Sequence, residues 1–299
     1  MDRYDVTFPS GNDRCAAWLY PPKECTDPTP ARPIVVMAHG LAGVKEERLD
    51  AFAERFAAAG YFCLVFDYRH FGASTGYPRQ LLSIKRQRQD WRAAVAFARA
   101  VPGVDLDRVI LWGTSFSGGH VLVTAAEDPR IAAVIAQCPF TDGLASTAAI
   151  APPTSLRVTA RALQDVLARQ LNRPPVMIPS YGPPGSAALI TAPDVVVGVE
   201  RLMPPGASYR KDVTARIAFE IIGDSPGRHV SSISCPIFFA ICEHDSVAPA
   251  NATQRHAAKA RRGEIKLYDA GHFDPYVGPT FERIVTDQLS FLTRHVPVE

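Results

Sequence analysis

With 299 residues, 47% of them hydrophobic and 21% charged, the chain is long enough for one large α/β domain or two small ones and can bury a sizeable core. Lys and Arg number 32 against 30 Asp and Glu, a balance that argues against a nucleic-acid binder relying on bulk charge. No stretch reaches the ~18 apolar residues of a membrane span, and Met1-Asp2-Arg3-Tyr4-Asp5 starts no apolar run of signal-peptide length. A soluble, cytoplasmic protein with no nucleic-acid or membrane partner is expected, its oligomeric state left open with a homodimer among the options.

Alternation over 4–8, a turn at Pro9-Ser10-Gly11-Asn12 and a second run over 15–20 predict an N-terminal hairpin. The proline-rich, charged 21–33 reads as a surface connection. A short apolar run, 34–38, has the pattern of a strand buried on both faces and ends in His39-Gly40-Leu41-Ala42-Gly43. A helix over 45–59 follows, with Leu49, Phe52, Ala53 and Phe56 on one face and Gly60 at its end. The run 61–66 is another buried strand, and 84–100 another helix, whose basic start Lys85-Arg86-Gln87-Arg88 reads as a solvated face. The apolar run 109–112 then stops at Gly113, a helical pattern begins after Gly119, and 131–136 is a further strand.

Residues 139–232 break this rhythm. They hold many prolines, including Pro152-Pro153, Pro174-Pro175, Pro183-Pro184 and Pro204-Pro205, and one clear helix, 155–171. So long an excursion predicts a cap over the carboxyl edge of the sheet, with a small domain unrelated to catalysis as the alternative. The core therefore comprises 1–138 and 233–299. Its rhythm returns with a strand at 237–242, a helix over 250–261, a strand at 264–268 and a closing helix at 281–295. Alternating strands and helices predict a mostly parallel sheet with helices on both faces and working residues at the strands' carboxyl ends.

Strand, sharp turn with a serine at its tip, then helix is the description of a nucleophile elbow, and Gly113-Thr114-Ser115-Phe116-Ser117-Gly118 fits it. Ser117 stands where G-x-S-x-G has its second glycine. Serine is a small residue, and an ordinary Gly/Ser turn with a Ser helix cap is the competing reading. A serine hydroxyl is a weak nucleophile. It needs a histidine to take its proton and a carboxylate to orient the imidazole. Asp245 and His272 lie just beyond the strands 237–242 and 264–268, after the serine and in the order acid, then histidine. Glu243 is the rival acid and Asp274 a weaker one, while Gly271 and the loop position predict an exposed imidazole at His272. His39, His70, His120 and His244 are the other histidines near strand ends, with His39 expected to prop its loop. The oxyanion donors expected are the N–H of Phe116 and that of Leu41, with a ligand-free glycine turn as the alternative for the latter.

Six cysteines, at 15, 25, 63, 138, 235 and 242, form no C-x-x-C pair, which removes zinc-ribbon and thioredoxin-like readings. Those at 63, 138, 235 and 242 lie in or beside apolar runs as buried thiols do. No H-E-x-x-H motif is present, and no metal or cofactor is expected.

The chain resembles the α/β-hydrolases over 34–138 and 236–295, through the elbow, the His39-Gly40 loop, Asp67-x-Arg69-x-x-Gly72, Asp245 and Gly271-His272-Phe273-Asp274. The Ser-Phe-Ser-Gly elbow is similar to that of a subgroup near the dienelactone-hydrolase-like and dipeptidyl-peptidase-like enzymes, which includes polyketide-transferring enzymes. The resemblance implies serine, histidine and acid in their nucleophile, base and orienting roles and leaves the substrate open. Three functions are carried forward: hydrolysis of a small or medium ester, thioester or lactone through an acyl-enzyme; acyl transfer to an alcohol or amine; and a silent binding module on the same fold. Dehalogenases and epoxide hydrolases use a carboxylate where Ser115 stands, whereas C–C bond hydrolysis stays open. The few aromatics of 139–232 (Tyr181, Tyr209, Phe219) and its many aliphatics predict an apolar pocket.

Overall fold

The computed structural model describes residues 2–22, 31–204 and 210–298. The expectations for Cys25, Pro205, Tyr209 and 23–30 of the proline-rich connection lie outside them.

A hairpin of β1 (Tyr4–Ser10) and β2 (Asp13–Tyr20) opens the chain. Its turn is tighter than the residues suggest, because Pro9 and Ser10 stay in the strand, paired with Arg14 and Asp13. Pro9 is tolerated there because β1 is an edge strand and a missing N–H costs no ladder bond. β3 (Arg32–Ala38), α1 (Leu49–Ala58), β4 (Phe62–Phe66), α2 (Ile84–Arg99), β5 (Val104–Thr114), α3 (Phe116–Glu127) and β6 (Ile131–Gln137) follow. β5 begins well before the apolar run because its first half carries Asp105, Asp107 and Arg108 and is only half-buried. α1 starts at Leu49, after a turn that ends in left-handed Arg48 with φ 61°.

The excursion after β6 holds α4 (Gly143–Ala148), α5 (Pro152–Gln170), β7 (Met177–Pro179), α6 (Val195–Leu202), β8 (Asp212–Thr214), α7 (Ile217–Gly223) and a 3-10 turn at Pro226–Ser232. Sequence reading found only α5. The other pieces are too short to show a period in an 11–18-residue window. The chain then re-enters the sheet with β9 (Ile237–Cys242), α8 (Ala250–Ala257), β10 (Gly263–Tyr268), a 3-10 turn at Asp274–Tyr276 and α9 (Gly278–His295).

The strands form one eight-stranded sheet in the order β1-β2-β4-β3-β5-β6-β9-β10, antiparallel at β1/β2 and β2/β4 and parallel elsewhere. Alternate residues of one strand enter different cores. Ile34, Val36 and Ala38 pack with Trp91, Val95, Val121 and Leu122 of α2 and α3. Val35 and Met37 pack with Phe52, Phe56, Phe281 and Phe291 of α1 and α9. This is the α/β-hydrolase arrangement. The chain moves outward from β3 to β4 and then crosses back to β5, so β3 and β5 flank the switch point, where a crevice opens beyond the carboxyl ends. Leu41 follows β3 and Ser115 follows β5. Among the described residues no helix is long and apolar enough to cross a membrane.

The basic start of α2 is not wholly solvated. Lys85 and Arg86 are exposed, but Gln87 is buried against His120 Nε2 at 2.8 Å, and Arg88 pairs with Asp224 of the excursion at 2.7 Å.

Candidate active site

Ser115 sits between β5 and α3 with φ 55° and ψ −120°, a conformation uncommon and strained for a side-chain-bearing residue. The elbow is held by its neighbours: Ser115 N donates to Gln137 O (2.8 Å), and Ser115 O accepts from Phe140 N (2.9 Å). Gly113 has no alternative here, because a Cβ would run into the Ser117 carbonyl as α3 folds back across β5. Ser117 fits with its side chain wholly buried. Its hydroxyl bonds that of Tyr68 (2.8 Å), which also accepts from Trp91 Nε1 (2.9 Å).

His272 Nε2 lies 3.0 Å from Ser115 Oγ, and its Nδ1 lies 2.7 Å from Asp245 Oδ2. A carboxylate only accepts, so Nδ1 carries the proton and Nε2 is left to accept from the serine hydroxyl. The second Asp245 oxygen, Oδ1, takes the N–H groups of Val247 (2.8 Å) and Ala248 (2.6 Å). Asp245 thus forms a turn and orients the imidazole at once, one oxygen for each task. Glu243 is exposed, and His244 bonds Asp269 at the surface. Asp274 accepts from Gly271 N (2.8 Å) and so shapes the His272 loop without meeting the ring.

One expectation is overturned. His272 is 3% exposed, not open to solvent. α6 lies over its loop so closely that a Cβ on Gly198 would collide with the Phe273 ring. A local sequence pattern cannot show a helix arriving from about seventy residues away.

Gly40 lets the loop after β3 approach Ser115, since a Cβ there would come 3.1 Å from Ser115 Cβ. The N–H groups of Leu41 and Phe116 have no acceptor among the described residues. Phe116 is the first residue of α3, where N–H groups lack helical partners and the helix dipole favours negative charge. His39 Nδ1 faces Gly40 O at 3.0 Å, and burial holds its imidazole below the ordinary value.

Sequence reading assigned no role to Asp67, which anchors this loop. Its carboxylate takes Lys45 N (2.8 Å), Lys45 Nζ (2.7 Å) and Ala73 N (3.0 Å). Gly72 answers to it, with φ +49° and a Cβ position that the Asp67 carboxyl would block. Asp-x-Arg-x-x-Gly was the available signal. Arg69 of the same motif is buried against Asp90, which also accepts from Ser10 Oγ at 2.6 Å.

Cys63, Cys138, Cys235 and Cys242 are free and buried, as expected, and Cys15 is free and buried as well. Cys138 Sγ, an Asp245 oxygen and a His272 nitrogen lie within 4.8 Å of one another, a spacing that can hold a metal ion. The donors are already committed, however. His272 and Asp245 bond each other, and the Cys138 thiol is pushed well above its ordinary value by its hydrogen bond with Cys242 and by burial.

Two cavities meet at Leu41, Ser115 and Ile190. The larger, about 200 Å³, runs from the Phe116 side along Phe140, Ile150, Leu189, Ile221 and Val247. The smaller, about 50 Å³, lies on the side of His272 and is walled by Glu47, Ser180, Phe273 and Tyr276. Most of the lining of the larger comes from 139–232, whose aliphatic character is the one read from the sequence.

The comparisons with known proteins agree with this fold. A family profile described as "Serine aminopeptidase, S33" matches residues 29–273. The quorum-quenching protein AidA of Acinetobacter baumannii is 52% identical over 295 residues, covering 99% of this chain and 96% of that one. The polyketide transferase grgF of a Penicillium species is 28% identical over 310 residues, covering 99% and 98%. The crystal structure of the α/β-hydrolase GrgF from Penicillium sp. sh18 superposes with a TM-score of 0.84 at 26% identity, covering 99% of both chains. Fold, sequence and site geometry lead to one conclusion: the chain belongs to the serine aminopeptidase S33 family of α/β-hydrolases and is an enzyme of hydrolase type.

Proposed function

We propose that this enzyme hydrolyses a carboxylic ester, thioester or lactone with an apolar acyl portion through an acyl-enzyme on Ser115. The observation that carries this reading is the unbroken relay from Ser115 Oγ through His272 to Asp245, at 3.0 and 2.7 Å. Ser115 Oγ attacks the carbonyl carbon as His272 Nε2 takes its proton. The N–H groups of Leu41 and Phe116 receive the developing oxyanion. The carbonyl–heteroatom bond then breaks, the proton on His272 goes to the leaving atom, and water repeats the sequence against the acyl-enzyme. Residues 139–232 act as the cap that forms the acyl cavity. The polyketide transferase among the relatives favours a second reading, in which an alcohol or amine replaces water in the last step.

The test is labelling by a fluorophosphonate probe, with turnover of short- and medium-chain p-nitrophenyl esters read alongside. Wild type labels and turns over, and Ser115→Ala does neither. A folded wild type that takes no label would sink the proposal and bring the binding-module reading forward.

A further inference from the structure

The two cavities differ in what they offer a reaction at Ser115. Only the smaller is lined by His272. The leaving atom must receive its proton from Nε2 of that residue, so the leaving group departs into the smaller chamber and the acyl chain occupies the larger. At about 50 Å³, and with a water needing roughly 10–15 Å³ of such space, the smaller chamber holds a group of only a few heavy atoms.

Its wall carries a carboxyl that the relay does not use. Glu47 lines the chamber, and among the described residues no Lys, Arg or His forms an ion pair with it. The cations on the same loop are engaged elsewhere. Lys45 Nζ is held by Asp67 and Glu46 at 2.7 and 2.9 Å, and Arg48 Nε donates to Tyr276 O at 3.4 Å. Lys45 is thus occupied by two carboxyls, those of Glu46 and Asp67. Burial first, and then Asp67 and Glu46, push the Glu47 carboxyl up to about 8, with a backbone hydrogen bond at Val44 acting the other way. The loop is shaped to keep this group in place: a Cβ on Gly43 would collide with the Glu47 carboxyl, although Gly43 does not need glycine for a positive φ. A half-buried carboxyl with room beside it and no ion-pair partner among the described residues is a site that a cation or a strong N–H donor would complete.

We propose that Glu47 is a specificity-determining residue that reads the leaving group, and that the preferred substrates are esters of compact alcohols bearing a protonated amine. This rests on the reading of Ser115 as nucleophile. In the step concerned, the bond between acyl carbon and leaving oxygen breaks, His272 supplies the proton to that oxygen, and the departing amino alcohol keeps its ammonium against Glu47, whose carboxyl has given its own proton to water as the ammonium docked. Water then releases the acid.

The experiment compares two hexanoate esters of matched shape at pH 7, the 2-(dimethylamino)ethyl and the 3-methylbutyl ester. In the wild type kcat/KM favours the cationic ester by about tenfold or more. In Glu47→Gln that ratio falls toward one, a change that a structural role for Glu47 would not produce, because both esters share the same fold and acyl cavity. A measurement that needs no variant runs beside it: 2-(dimethylamino)ethanol inhibits the wild type competitively at concentrations where 3-methylbutanol does not. A wild-type ratio near one, a ratio unchanged in Glu47→Gln, or equal inhibition by the two alcohols overturns the proposal while fluorophosphonate labelling of Ser115 stands. No labelling and no turnover of either ester removes the nucleophile, and the leaving-group chamber with it.

Discussion

Ser117 occupies the position where a small residue is required, and its hydroxyl adds something glycine lacks. It gives the buried Tyr68 hydroxyl a partner, in a cluster that also takes the Trp91 N–H. Burial drives the Tyr68 phenol well above its ordinary value, so it stays a neutral hydroxyl in need of hydrogen bonds. Ser117→Gly leaves that group short of one partner, at about 1–3 kcal/mol, and adds roughly 0.5–1 kcal/mol for glycine inside a helix. The expected outcome is a fall of about 2–4 kcal/mol in urea unfolding with kcat on a p-nitrophenyl ester changed no more than a few-fold. A collapse of kcat at unchanged unfolding midpoint would mean that the Ser117 hydroxyl takes part in the reaction. At this scale the sequence was legible wherever a residue's role depends on its place along the chain. Ser115 stands directly after a strand, and Asp245 and His272 each a short loop beyond one, in an order that the proposed chemistry needs. Glu47 was not legible. It falls where a helix was expected to have begun, and only the turn ending in Arg48 carries its carboxyl inward.

The core elements announced themselves because each spans enough residues for its period to show: runs buried on both faces for β3, β4, β6 and β9, and helical faces for α1, α2 and α9. The short elements of the excursion were hidden for the opposite reason, yet one of them lies over the His272 loop. α6 packs Gly198 against Phe273, whose ring meets His272 edge-on at a centroid distance of 5.1 Å. Gly198→Ala forces either α6 or the Phe273 ring to move, and a displacement of the order of 1 Å at a catalytic group costs up to ~100-fold in rate. The expected result is a drop in kcat of at least about tenfold with a near-native unfolding midpoint. Phe273→Leu on the Gly198→Ala background should restore part of the loss by making room for the methyl group. If kcat of Gly198→Ala matches wild type, α6 does not position the histidine loop.

At the scale of the whole molecule, one buried polar chain ties the end of the sequence to the elbow. Trp112 Nε1 donates to Gln288 Oε1 (3.0 Å), and Gln288 Nε2 donates to Gln137 Oε1 (2.9 Å). Gln137 Nε2 then donates to Thr114 Oγ1 (3.3 Å), which shares a 2.5 Å hydrogen bond with Tyr276 OH. The chain joins β5, β6, α9 and the turn after His272, and it passes through Thr114, the residue before Ser115. A trace of it stood in the sequence. Gln288 takes a place in the stripe Phe281, Ile284, Val285, Phe291, Leu292, where an apolar residue was due. Its purpose needed partners more than 150 residues away. Gln288→Leu leaves the Trp112 N–H and Gln137 short of partners, and Gln137→Leu does the same to Gln288 and Thr114. Each should cost about 2–6 kcal/mol, at 1–3 kcal/mol per unsatisfied buried group. Because the double variant removes both sides of the shared bond, its cost should fall short of the sum by about 0.5–3 kcal/mol in a double-mutant cycle. The variants should also differ in activity. Gln137→Leu frees the Thr114 link beside Ser115 and lowers kcat, whereas Gln288→Leu acts two hydrogen bonds from Thr114 and mainly lowers stability. Costs that add within about 0.3–0.5 kcal/mol, together with equal effects on kcat, would reduce the chain to separate contacts and leave the elbow and the His272 loop without this mutual brace.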